Sequence, residues 1–153
     1  MNQNTTVYPG SNVIIPVAEA ALVAAITNQV YPYPCPVYSS DSNQLKDAMP
    51  YIVVHVTGAQ EQIGPGSGVF KVQATILFRS HVKPEDVDFR TSICNCINNF
   101  LWNQPAVTLN LNQGFYVYGF IPGANGQMAV NPEQKAYEYQ VGIEMVCMPS
   151  NNQ

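Results

Sequence analysis

The side chains best suited to nucleophilic, acid–base or metal chemistry in this chain are two histidines, His55 and His81, and four cysteines, Cys35, Cys94, Cys96 and Cys147. A thiolate beside an imidazole would make a nucleophile, and two thiolates with a histidine would make most of a tetrahedral metal site. The spacing favours neither. Cys94 and Cys96 fall on a helical pattern, where residues two apart diverge by roughly 200° and cannot share one ion. Two small packing thiols are the simpler reading of that pair. His55 sits among valines in a strand, a setting in which a histidine is more often packed on its sheet than ligating. His81 lies at a strand-to-helix corner, and a pairing of either histidine with a cysteine stays open, because spatial neighbours need not be close in sequence. The acidic run Glu85-Asp86-Val87-Asp88 complements the positive end of a helix dipole. Gly64-Pro65-Gly66 has neither the lysine nor the helix that a phosphate-binding loop requires. These residues predict no catalytic group, no metal and no cofactor.

The elements that would position any site are legible from periodicity. From Pro16 an alanine-rich run through Asn28 reads as a helix with proline at its first position. Val17, Ala21, Ala24 and Ala25 are expected on its inner side, with Leu22 and Ile26 nearby. The alternating prolines of Tyr31-Pro32-Tyr33-Pro34-Cys35-Pro36 force extended backbone, which suits a connector strapped over the surface and not a central strand. Asp41 or Ser42 could cap a short helical turn through Ala48. Tyr51–Thr57 reads as a strand, Gly58–Gly68 as a long mobile hairpin loop, and Val69–Arg79 as an alternating strand. A core helix follows, introduced by Pro84 and carrying Phe89, Ile93, Cys96, Ile97, Phe100 and Leu101 at helical spacing. Val107–Leu111 and Phe115–Ile121 suggest a short hairpin, Pro122–Gln134 a second loop, and Ala136–Cys147 the cleanest alternation in the chain. The predicted core comprises Phe70, Val72, Ile76, Phe78, Ile93, Ile97, Phe100, Val141 and Ile143.

The fold class expected is α+β: a mainly antiparallel sheet of four strands or slightly more, flanked by two main helices, in the order α-β-β-α-β-β. Its boundaries are an N-terminal arm over 1–15, one domain over 16–148 and a polar tail over 149–153. A chain of 153 residues with 46% hydrophobic residues suits a single core. Only 10% of residues are charged, against about a quarter in ordinary domains. Such a neutral surface, with nine Tyr and six Phe, fits contact with other protein, whose buried interface is depleted in charge and enriched in aromatics. A neutral soluble monomer fits the composition equally well. The net charge of −4 without a basic cluster argues against nucleic-acid binding. No apolar run predicts a membrane span or an export signal, so synthesis in the cytoplasm with reduced thiols is expected.

This order of elements, with Met49-Pro50-Tyr51-Ile52-Val53-Val54-His55-Val56, the Val69–Arg79 strand running into Pro84-Glu85-Asp86-Val87, the Phe89–Leu101 helix and the closing Ala136–Cys147 strand, resembles the tail terminator (tail completion) proteins of long-tailed bacteriophages. The resemblance spans roughly Pro16 to Met148 and is one of pattern. It implies a virion protein of the tail or neck, made in the host cytoplasm. Such a protein forms a ring, a hexamer in that family, that caps the tail tube and joins it to the head-side connector, with no enzymatic activity and no cofactor. The chain departs from the family's common pattern in its longer N-terminal arm and in Tyr31–Tyr38. Another neck or tail-adaptor role is a near alternative. A small α/β enzyme or ligand-binding domain using His55 or His81 with a cysteine, and a peptide-binding module using an exposed sheet edge, are alternatives of other classes. On the ring reading the interaction residues are expected on two loops: Gly58, Gln60, Glu61, Gln62, Ile63, Gly64, Pro65 and Gly66 on the first, and Gly123, Asn125, Gly126, Gln127 and Met128 on the second.

Overall fold

The computed structural model describes residues 11–40, 49–64, 67–102, 110–111, 115–122, 127–131 and 135–149. The fold is α+β. Four long strands dominate the sheet: β2 (Tyr51–Glu61), β3 (Phe70–His81), β5 (Phe115–Pro122) and β7 (Ala136–Pro149). Each pairs antiparallel with its long neighbour. Three short strands, β1 (Val37–Ser39), β4 (Asn110–Leu111) and β6 (Gln127–Asn131), extend the sheet. Its order is β1-β2-β3-β7-β5-β4, with β6 also on β7. The expected order α-β-β-α-β-β is matched in part, by the long elements alone, since β1, β4 and β6 are inserted and bring the sheet to seven strands; the sheet is also mixed, because β1 lies parallel to β2. Parallel pairing here follows from the proline connector, which carries the chain from the end of helix α1 (Ser11–Val30) back to the start of β2. The connector supplies an edge strand, the position that its prolines allow.

Helix α1 begins at Ser11, five residues before the expected start, and Pro16 lies inside it. Pro16 faces solvent, where water can satisfy the carbonyl that its missing N–H leaves unpaired. The buried stripe is Ile14, Ala18, Leu22, Ile26 and Val30, so the larger side chains at four-residue spacing, with Ala18 between them, take the centre in place of Ala21, Ala24 and Ala25. Val17, Ala21 and Ala25 flank the stripe, and Ala24 is exposed. Residues 11–15, expected in the arm, belong to this helix; residues 1–10, the helical turn expected over 41–48 and the tail from 150 onward lie outside the described residues.

The alternation of β3 and β7 puts every second side chain into one core. Phe70, Val72, Ala74, Ile76 and Phe78 pair in register with Cys147, Met145, Ile143, Val141 and Tyr139, and all ten are buried. Helix α2 (Val87–Trp102), entered through one 3-10 turn at Pro84–Asp86, packs Ile93, Ile97, Phe100 and Leu101 into the same cluster as the α1 stripe. All nine predicted core residues are in it. Tyr139 Oη also donates to Asn98 Oδ1 on α2, fastening helix to sheet.

The opposite face of β2, β3 and β7 has no helix over it among the described residues. It carries cross-strand polar pairs: Arg79 Nε donates to Glu138 at 2.6 Å, Arg79 Nη1 to Tyr51 Oη at 3.0 Å, and Gln73 Nε2 to Glu144 at 3.1 Å. Lys71 and Glu144 are 3.5 Å apart. Pairs this exposed add at most about 1 kcal/mol each, and they hold register more than stability.

Candidate interaction surface

The histidines and cysteines do not form the constellation that their chemistry would need. The alternation of β2 buries Val54 and Val56 and turns His55 out of the core, while Cys35 and Cys147 are buried within it. His81 contributes its backbone carbonyl to Arg90. Burial pushes the thiols of Cys35 and Cys147 up to about 12, with the neighbouring Cys96 adding to the effect at Cys35, and pushes Cys94 up to about 11. At neutral pH these three are protonated and poor nucleophiles. Among the described residues no group of three or more His, Cys, Asp or Glu could hold a metal ion.

The raised thiols give a linkage prediction. Each stays protonated in the fold above the pH at which it ionises in the unfolded chain, so the folded state binds more protons between the two values. Stability is then full below about pH 9, the ordinary thiol value, and declines as the pH rises toward 12. Replacing both Cys35 and Cys147 by Ala should flatten that decline in melts run from pH 8 to 11. An unchanged slope would show that the thiols are not the source.

The two expected loops take different forms and lie apart. Gly58, Gln60 and Glu61 are strand residues, paired with Gln73, Lys71 and Phe70 past a bulge at Thr57. The expectation of a long mobile loop here is corrected: the turn is short and bonded to itself. Gln62 N donates to Val69 O at 2.7 Å, Gly68 N to Glu61 Oε2 at 2.9 Å, and Ser67 Oγ to Gln62 O. Glu61 and Ser67 thus supply bonds that no ladder could give the turn backbone. Gln62, Ile63 and Gly64 form its described tip. In the second stretch Gln127 and Met128 belong to β6 and pair with Gln140 and Tyr139; within the loop expected over Pro122–Gln134, the residues Gln127–Asn131 are strand. Strands β5 and β6 lie one after the other along the same edge of β7, with Pro122 opposite Ile143 and Gln127 opposite Gln140 midway along that strand, whereas the tip of the first hairpin is at the end of the sheet. Pro65, Gly66, Gly123, Asn125 and Gly126 lie outside the described residues.

The exposed apolar side chains mark the surface better than loop length does. Among the described residues the large ones are Tyr31, Tyr33, Ile63, Val82, Val87, Trp102 and Val130. Strand register and the Tyr33–Phe89 contact place six of them at the two ends of the sheet. Tyr31 and Tyr33 follow α1, Val82 and Val87 flank the β3–α2 corner, and Val130 sits beside Tyr137 at the start of β7. These five share the end where β3 finishes. Ile63, at the tip of the β2–β3 hairpin, is at the other, and Trp102 is the last residue of α2.

Both ends are stiff. At the five-residue end Tyr33 meets Phe89 edge-on at 6.4 Å, and Phe89 meets the buried Phe78 at 6.3 Å, so the patch is anchored to the core through aromatic rings. Arg90, 7% exposed, donates through Nη1 to the carbonyls of His81 and Lys83 at 3.0 Å each and lies 4.2 Å over the Tyr137 ring. It locks the corner that presents Val82 and Val87. At the other end Ile63 has φ +75° and is 89% exposed. A β-branched residue held there is strained by about 1–3 kcal/mol.

Two further residues escaped sequence reasoning. Glu19, only 7% exposed, accepts Val56 N–H at 3.0 Å and the Ser40 N–H and hydroxyl at 3.2–3.3 Å. It closes the β2 edge where β1 ends, beside a cleft of about 450 Å³ lined by Ile15, Pro16, Ser39 and His55. Its signal was a lone carboxylate in an otherwise apolar helical run. Arg90 had none beyond its place next to Phe89. Compared with known proteins, the chain matches no family model and no curated protein.

Proposed function

We propose that this chain is a non-enzymatic structural subunit of a tailed-bacteriophage virion, which assembles as a ring that terminates the tail tube and joins it to the head-side connector. The observation that carries the reading is the placement of an exposed apolar patch, Tyr31, Tyr33, Val82, Val87 and Val130, at one end of the sheet and of the exposed Ile63 at the other. A subunit that must meet like neighbours and two axial partners needs separate contact surfaces on a rigid body. The order of its long elements supports the tail-terminator reading, and another neck or adaptor role is its near alternative. The protonated thiols and the outward turn of His55 weigh against a Cys/His enzyme. A peptide-binding role at the β2 edge is opposed by Glu19, which already takes the Val56 N–H. Light scattering with negative-stain imaging of the purified protein is the test: a closed ring, of six subunits on the family reading, is the expected result. A monomer at every concentration up to the millimolar range would overturn it.

A further inference from the structure

We infer that the Ile63 hairpin of one subunit docks on the Tyr31–Tyr33 end of the next, a head-to-tail contact between copies of this chain that rests on the ring reading above. The first ground is Ile63 itself. Its turn uses glycine at Gly64 and Gly68, both at positive φ, yet places a β-branched side chain at φ +75° and leaves it 89% exposed. Glycine or asparagine would fit that backbone with less strain, so the fold alone gives no reason for isoleucine. Bonds from Gln62 to Val69, Ser67 to Gln62 and Gly68 to Glu61 tie together the described residues that flank it. Ile63 is an exposed apolar knob.

The second ground is what lies at the other end. Tyr31 and Tyr33 are exposed aromatics, the side-chain type that most often anchors an interface, and Tyr33 is braced against Phe89. Val82, Val87 and Val130 share that end. The exposed Lys83, Glu85 and Asp88 there supply a polar rim, the usual surround of an interface core. A knob and an aromatic patch at opposite ends of a 12-residue strand, roughly 40 Å apart by strand rise, cannot meet within one subunit. They can meet between two. Different surfaces in contact make a heterologous interface, the kind that generates rings. The occupant of the patch is therefore a second copy of this chain.

A mixing experiment with the full chain tests this. Ile63→Asp spoils the knob and leaves the patch, while the double variant Tyr31→Asp/Tyr33→Asp spoils the patch and leaves the knob. Each alone should associate at least about 30-fold more weakly than wild type, the size of a hot-spot loss. Mixed, they should form a 1:1 dimer and nothing larger, because one good knob meets one good patch. Ile63→Gly separates contact from folding: it should weaken association while leaving the melting temperature equal or higher, since glycine accepts this φ without strain. Wild-type rings with an Ile63→Asp variant that also forms them, or a mixture that stays monomeric, would overturn the contact and leave the ring reading standing. A monomeric wild type would remove both.

Discussion

Phe100→Ala is expected to lower unfolding stability by about 3–5 kcal/mol, the usual cost of deleting a fully buried phenylalanine. For a domain of this size that corresponds to a fall in melting temperature of roughly 6–20 °C. Phe100 is 1% exposed and belongs to the same cluster as Ile97, Ile93, the α1 stripe and the inner face of β3 and β7. Because both helices and the sheet close on that cluster, the ring's loss leaves a cavity that no single element can collapse to fill. Trp102→Ala is the paired control. Two positions further along α2 it is 68% exposed, so its loss should stay within about 0.5 kcal/mol. Equal melting temperatures for the two variants would show that α2 presents a different face to the sheet.

That contrast also shows what the sequence could reveal. Phe100 and the β7 alternation are legible because their periods, 3.6 and 2, are local and their buried residues large. The whole predicted core follows from those periods. The start of α1 is not legible, because Pro16 mimics a first helical position and Pro9-Gly10-Ser11-Asn12 before Val13 reads as a turn. Glycine content alone predicts a loose hairpin. Its order comes from Glu61 and Ser67, whose bonds reach the turn backbone, and no period encodes a side chain turning back on its own turn. The apolar ends were hidden for a related reason: Tyr31, Val82 and Val130 lie in three separate segments, and only topology brings them to one end. The open sheet face follows from the polar alternation of β3, in which Lys71, Gln73, Thr75 and Arg79 point away from the core side chains.

Glu19→Ala is expected to cost roughly 2–4 kcal/mol, since it strips the acceptor from the buried Val56 N–H and from both donors of Ser40. The effect should exceed that of an exposed ion pair such as Lys71 with Glu144, because Glu19 is in the interior and its donors have nowhere else to turn. Glu19→Gln keeps one acceptor oxygen and sets an amide N–H against a donor, so a smaller loss is expected. The consequence for assembly follows from position. The β1 pairing stops at Ser39 opposite Val54, and beyond it the β2 edge has no strand beside it among the described residues. With the carboxylate in place the Val56 N–H is taken; without it, that N–H has lost its acceptor on an edge that no strand among the described residues covers, where another strand could pair. Glu19→Ala should therefore exchange its Val56 amide proton faster and form irregular aggregates by size-exclusion chromatography, a product distinct from the loss of association expected of Ile63→Asp. Wild-type stability, a protected Val56 amide and an unaltered elution profile in Glu19→Ala would together show that the carboxylate neither holds α1 to the sheet nor guards its edge.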